Sequence, residues 1–121
     1  MKRDMELIRK LVLKLEDAPT SFAPGNLSVE GYTHEQIGYH AYLMIQAGLA
    51  TGADVQTMGS SGHIGILTGL TWAGHEFADS ARDEKRWKQA MGIVQQKGGS
   101  VTLSVLTDLL TTLAKNALGL P

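Results

Sequence analysis

The apolar residues change their spacing along the chain, and this change limits the folds that the chain can adopt. Before residue 48 and after residue 71 they recur at steps of three and four, the spacing of amphipathic helices. Between Leu49 and Leu70 the period falls to two on either side of the turn sequence at 59–62, a pattern typical of a β-hairpin. The spacing therefore predicts an α+β, mostly helical protein with one hairpin.

Capping residues, glycines and prolines place the ends of these elements. Helices are predicted over about 3–17, 34–47 and 102–118, and a third helical segment runs from about 72 to 96. The charged residues at 83–86 are compatible either with a turn or with a solvated continuation of that segment. A short strand is predicted at 27–29. Trp72, Phe77 and Trp87 have helical spacing, which favours a core position over a ligand platform.

Composition excludes several classes of protein. The chain has 121 residues, of which 43% are hydrophobic and 19% charged, a balance too apolar for a disordered chain. No apolar run approaches the roughly 18 residues of a membrane helix, and the N-terminus lacks the apolar core of a secretion signal. Zero cysteines exclude disulfides and thiolate metal sites. We therefore expect a soluble, cytoplasmic protein.

The order helix, short strand, helix, hairpin wing, helix predicts a winged-helix-like domain over residues 1–97. Residues 98–121 add an amphipathic, leucine-rich C-terminal helix that packs either on this domain or on a second copy of the chain. An a/d pattern covers a little more than two heptads of that helix. The candidate oligomer seam consists of Leu103, Leu106, Leu110, Leu113 and Ala117.

Several local motifs resemble a family of bacterial and phage proteins, the domain-of-unknown-function family numbered 2513. The motifs are 1–9 (MKRDMELIR), 31–32 (GY), 37–40 (IGYH), 46–49 (QAGL) and 70–77 (LTWAGHEF), followed by Asp79, Arg82-Asp83 and Trp87. The resemblance covers most of residues 1–90. It implies a winged-helix-like fold and no particular activity, so it identifies no functional residues.

The predicted reading helix and wing lack the cations that DNA recognition uses. Winged helices contact phosphates through Lys and Arg, yet residues 34–70 contain two acids and neither cation. Tyrosine and methionine are favoured in protein interfaces, so this face is predicted to bind a protein. The candidate interaction surface consists of Gln36, Tyr39, His40, Tyr42, Gln46 and Met58.

The alternative function is a dimeric DNA-binding transcriptional regulator. Its steering charge comes from a candidate basic face on the first helix, formed by Arg3, Arg9, Lys10 and Lys14. These cations are interspersed with acids, so a solvated helix face explains them more simply.

No arrangement of residues indicates an enzyme. The four histidines have no multi-ligand spacing, and no third group is evident to orient His63 beside Ser60 and Ser61. We predict no catalytic residues, no metal and no cofactor. The predicted function is a non-enzymatic protein-interaction adaptor or modulator with an unidentified protein partner. A homodimer and a phage or prophage origin are compatible with this prediction.

Overall fold

The computed structural model describes residues 1–24, 27–55 and 62–121. Within these ranges the elements are α1 (Met5–Glu16), α2 (His34–Gln46), β1 (Ala50–Val55), β2 (Ile64–Leu70), α3 (Trp72–Ala81), α4 (Glu84–Gln96) and α5 (Leu103–Ala117). The structure confirms an α+β, mostly helical fold with one antiparallel hairpin. In the part of the chain described, every helix is too short or too polar to cross a membrane.

Short polar side chains begin each of these five helices. Asp4, Thr33, Thr71, Asp83 and Thr102 each accept a hydrogen bond from a backbone N–H group in the first turn that follows. Such caps satisfy donors that have no partner within the helix. The cap at Asp83 also decides between the two predicted alternatives, because it ends the helical segment at Ala81 and starts a new helix at Glu84.

The hairpin contains a β-bulge at the end nearest α3. Thr51 pairs with Gly69 and Gly52 with Leu67, so Thr68 is an extra residue on β2. α2 lies against β2 at very short range, and a Cβ atom on Gly65 would lie 2.3 Å from the backbone nitrogen of Tyr42. Only glycine permits this approach between helix and strand.

The short strand predicted at 27–29 does not form, and this prediction is wrong. Val29 is buried, and its carbonyl accepts a hydrogen bond from the Tyr32 N–H group in a turn. A strand requires a neighbour along its length, whereas the backbone bond to the hairpin comes from Ala23, whose N–H group donates to the Thr68 carbonyl at 2.8 Å. The apolar side chain of Val29 thus reflects burial in a turn rather than β structure.

The chain divides into two compact units, residues 1–78 and 79–121. In the first unit, fully buried side chains come from α1 and α2, among them Leu7, Leu11 and Met44. In the second unit, α4 packs on α5 and Leu106 and Leu110 are buried. The predicted domain boundary at 97/98 stays a prediction, and the internal contacts divide the chain at a different position.

Two of the three predicted core aromatic residues are buried, and Trp72 is not. Phe77 is 3% exposed and Trp87 2% exposed, whereas Trp72 is 81% exposed. Trp72 is the first residue of α3, and its indole N–H group donates to Glu76 Oε1 one turn later, at 2.6 Å. Helical spacing predicts which residues share a face of α3. It does not show that the ring of its first residue, Trp72, lies against its own helix and stays exposed.

Candidate functional site

α2 positions most of the residues predicted to form an interaction surface. The helix begins in a capping box, in which Thr33 Oγ1 accepts from the Gln36 N–H group at 3.1 Å and Gln36 Oε1 accepts from the Thr33 N–H group at 2.8 Å. Sequence spacing predicts this reciprocal cap. The Gln36 side chain is half-buried, and its amide oxygen is the acceptor that completes this cap.

His40 lies inside the protein and not on its surface. Its side chain is 1% exposed. Nε2 accepts a hydrogen bond from the Asp4 N–H group at 2.8 Å, so Nδ1 carries the proton and donates to the Gln36 carbonyl at 2.7 Å. Both ring nitrogens therefore have partners, and His40 connects α2 to the first residues of the chain.

Asp4 extends this connection to Tyr32. One carboxylate oxygen caps α1, and the other accepts a hydrogen bond from the Tyr32 hydroxyl at 2.9 Å. Burial of the phenol, followed by its hydrogen bond to Asp4 and the negative charges of Asp4 and Glu6, raises the pKa of Tyr32 from 10.0 to about 12. Tyr32 therefore stays protonated over the neutral pH range and acts as a hydrogen-bond donor.

Tyr39 and Tyr42 form an aromatic row on another face of α2. Their ring centroids are 6.1 Å apart, and the Tyr42 ring stacks on the His63 imidazole with centroids 4.2 Å apart and planes 9° from parallel. All three side chains are half-buried or exposed. The row therefore spans α2 and the residue that precedes β2.

Two hydrogen bonds hold the Tyr42 and His63 rings of this row in place. Asp54 Oδ2 lies 2.7 Å from His63 Nδ1, and Gln46 Nε2 donates to the Tyr42 hydroxyl at 2.8 Å. We call Tyr39, Tyr42, Gln46, Asp54 and His63 the tyrosine–histidine surface. Because each side chain after Tyr39 has an internal partner, little rotamer freedom remains to be lost when a ligand binds.

The structure brings together three of the six predicted surface residues, namely Tyr39, Tyr42 and Gln46. Gln36 serves the helix cap and His40 is buried, while Met58 lies outside the described residues. Sequence reasoning missed Asp54 and the orientation that it gives to His63. Asp54 pairs with Gly65 across the hairpin. His63 comes two residues before Gly65, so it lies diagonally opposite Asp54, within reach of its side chain. The hairpin register is the signal that could have identified the pair.

The candidate basic face is only partly exposed. Arg9 is 8% exposed and lies 3.6 Å from Glu6, and the Lys10 ammonium lies 5.8 Å from the centre of the Tyr32 ring. Arg3 and Lys14 are exposed. Arg3 precedes the cap of α1 and so does not belong to the helix face on which it was predicted. Of the three basic residues on α1, Lys14 is the exposed one.

The residues of the candidate oligomer seam also differ in their exposure. Leu106 and Leu110 are buried within the single chain, at 0% and 1% exposure. Leu103 and Leu113 are half-buried, and Ala117 is exposed. The two central leucines of the stripe therefore belong to the core of the second unit, where α5 packs on α4.

Metal-ligating side chains are dispersed. Within residues 1–24, 27–55 and 62–121, no three His, Asp or Glu side chains lie close enough together to hold a metal ion. Apart from the His63–Asp54 pair of the tyrosine–histidine surface, His75 Nδ1 lies 3.5 Å from Glu16 Oε2, which brings together one histidine and one carboxylate.

Comparison with known proteins gives two sequence matches. A family model described as "Hypothetical protein (DUF2513)" matches residues 2–100. A curated protein from Haemophilus influenzae, described as "Uncharacterized protein", is 32% identical over 121 residues, which cover 98% of this chain and 99% of the relative. No solved structure matches.

Proposed function

This chain belongs to the DUF2513 family, and we propose that it is a non-enzymatic protein-interaction module that binds its partner through the tyrosine–histidine surface. The observation that carries the proposal is the Tyr42 ring, which is stacked on His63 and hydrogen-bonded to Gln46 at an accessible position. Aromatic side chains fixed in this way are favoured anchors of protein interfaces.

The distribution of charge supports a protein partner over a nucleic acid. Residues 15–81 contain neither Lys nor Arg, and they contain seven acids. The acids are Glu16, Asp17, Glu30, Glu35, Asp54, Glu76 and Asp79. Binding to DNA derives much of its free energy from cations on phosphates, so a surface drawn from this segment favours a neutral or basic partner.

The alternative, a dimeric DNA-binding regulator, has weaker support. Its cations would come from α1, where Arg9 is buried and Lys10 lies over the Tyr32 ring. Its dimer seam would use Leu106 and Leu110, which are buried within the chain. Of the four predicted cations, Arg3, which precedes α1, and Lys14 have exposed side chains.

Site-specific photo-crosslinking in cells of the source organism tests the proposal. A benzophenone amino acid replaces Tyr39 in one variant and Gln89, which is exposed on α4, in the matched control. We expect a discrete adduct from position 39 that protease removes and nuclease leaves intact, and that position 89 does not give. Adducts sensitive to nuclease would support the DNA-binding alternative, and equal adducts from both positions would contradict the proposed surface.

A further inference from the structure

A groove lies beside β2, on a face of α2 different from that of the tyrosine–histidine surface. Its volume is about 410 Å³. One wall comes from α2, including Ile37 and Ala41, and the other from β2, including Ile64 and Ile66. At 100° per residue, Ile37 and Ala41 project from a different side of the helix than Tyr39 and Tyr42.

The strand wall of the groove is accessible and apolar. Ile64 is 39% exposed and Ile66 55% exposed. β-branched side chains that border a groove offer contact area to an extended chain, whose alternate side chains point in opposite directions. Ile64 and Ile66, two residues apart on β2, therefore have the spacing needed to contact alternate side chains of an extended ligand.

β2 already shows the geometry by which such a chain would bind. Among the residues that the structure describes, β2 receives one backbone hydrogen bond from outside the hairpin, from the Ala23 N–H group to the Thr68 carbonyl. Ala23 and Pro24 also line the groove. Proline donates no backbone hydrogen bond, so Pro24 cannot continue the pairing that Ala23 begins.

The charge of the groove defines the chemistry of its occupant. Glu35 and His34 are the ionisable residues that line it, and both are exposed. The nearest Lys or Arg residues in sequence are Lys14 and Arg82. An extended segment that carries Lys or Arg would therefore meet a carboxylate and no cation from residues 15–81.

We propose that this groove binds an extended, basic segment of a partner protein, which adds as a strand to β2 between Ile64 and Leu67. Aliphatic side chains of the segment pack on Ile64 and Ile66, and a Lys or Arg side chain pairs with Glu35. Main-chain hydrogen bonds provide affinity in this mode of recognition, and alternate side chains provide specificity. The inference goes beyond the proposed function and does not depend on it.

Three synthetic peptides test the groove with the full chain: a hexapeptide of alternating valine and lysine, its valine and glutamate counterpart, and the lysine peptide with alternate backbone nitrogens methylated. We expect saturable binding of the lysine peptide by calorimetry, with amide chemical-shift changes at Ile64–Leu67. The glutamate peptide should bind about fivefold more weakly, and methylation should abolish binding. Lack of binding of the lysine peptide up to about 1 mM would overturn the proposal.

Charge exchange provides the sharpest comparison. Glu35→Lys should reverse the preference, so that the glutamate peptide binds more tightly than the lysine peptide. Glu30→Lys, an exposed position outside the groove lining, should retain the wild-type preference. An equal effect of both substitutions would indicate nonspecific attraction and would contradict the proposed site. Ile66→Ser should weaken the lysine peptide about tenfold, whereas Tyr39→Ala should leave its affinity unchanged.

A second copy of the chain is the other occupant that the experiment distinguishes. Sedimentation equilibrium of the wild-type chain and of Ile66→Asp measures the self-association of this face. We expect no difference in mass between them. A wild-type dimer that Ile66→Asp converts to a monomer would overturn the proposal, because the groove would then be an interface between copies.

Discussion

At the scale of single residues, the buried His40 is a structural member of a network that spans α1 and α2. Its bond to the Asp4 N–H group joins positions 36 residues apart in sequence. The ring satisfies one donor and one acceptor of the backbone, and an unpartnered buried donor costs about 1–3 kcal/mol. The residue thus contributes to stability and not to the interaction surface.

Substitution of His40 tests this role. His40→Ala should lower the free energy of unfolding by about 2–4 kcal/mol, because it removes a packed side chain and leaves the Asp4 N–H group without its partner. Urea denaturation followed by circular dichroism measures the change. His34→Ala, at an exposed position, is the control and should change stability little. A loss as small for His40 as for His34 would argue against the network.

Tyr32 makes stability depend on pH in the alkaline range. Its pKa rises from 10.0 to about 12 on folding, so between these values the unfolded chain releases a proton that the folded chain retains. The contribution of Tyr32 to the free energy of unfolding is therefore complete below pH 10 and is lost as the pH rises toward 12. Tyr32→Phe should reduce this fall when urea denaturation is measured across that range. The same measurements on Tyr39→Phe control for loss of a phenol, and an unchanged slope in Tyr32→Phe would contradict the assignment.

At the scale of elements, the contact between α2 and β2 depends on the absence of a side chain at Gly65. A Cβ atom there would lie 2.6 Å from the Ala41 carbonyl carbon and closer still to the backbone of Tyr42. Backbone atoms cannot move aside as a flexible side chain can, so any other residue would force the helix and strand apart. This contact also fixes the positions of both walls of the groove.

Gly65→Ala should therefore destabilise the protein by about 3 kcal/mol or more, at the upper end of the range for overpacking. Gly62→Ala is the matched control, because a Cβ atom at Gly62 meets nothing within 4 Å. Thermal denaturation of both variants measures the difference. Equal melting temperatures would show that α2 and β2 do not approach as closely as described.

The apolar side chains of α5 differ in exposure from one residue to the next. Leu106 is fully buried, whereas Val105 is 56% exposed. Leu106→Ala should cost about 2–5 kcal/mol, as expected for a buried leucine, and Val105→Ala should cost much less. Urea denaturation compares the two, with sedimentation velocity to record the mass. If Leu106→Ala altered the mass and left the stability unchanged, Leu106 would belong to an intermolecular seam instead.

At the scale of the whole molecule, charge is distributed unequally between the two units. Residues 1–78 contain five basic and eight acidic residues, and residues 79–121 contain six and four. The basic residues of the first unit all precede residue 15. Any attraction of this unit to phosphate must therefore come from the start of the chain.

We accordingly expect duplex DNA to bind with a dissociation constant weaker than about 1 µM, in the nonspecific range. Fluorescence anisotropy at two salt concentrations measures this affinity and its salt dependence. Reversal of charge at Arg3, Lys10 and Lys14 together should remove the part of this binding that the first unit contributes, whereas reversal at Glu30 should not. Sequence-dependent binding in the nanomolar range would favour the DNA-binding regulator over the interaction module.

The sequence by itself determines the helices, the hairpin and the absence of cations between Lys14 and Arg82, because periodicity, capping and charge are local properties of a chain. It also predicts Tyr39 and Tyr42 as members of a contact surface, and the structure places the two half-buried rings side by side. It does not determine that His40 is buried, that Asp54 orients His63, or that residues 27–29 form no strand. These three features depend on which distant groups become neighbours when α1, α2 and the hairpin pack. The spacing of residues within one segment does not determine such neighbours.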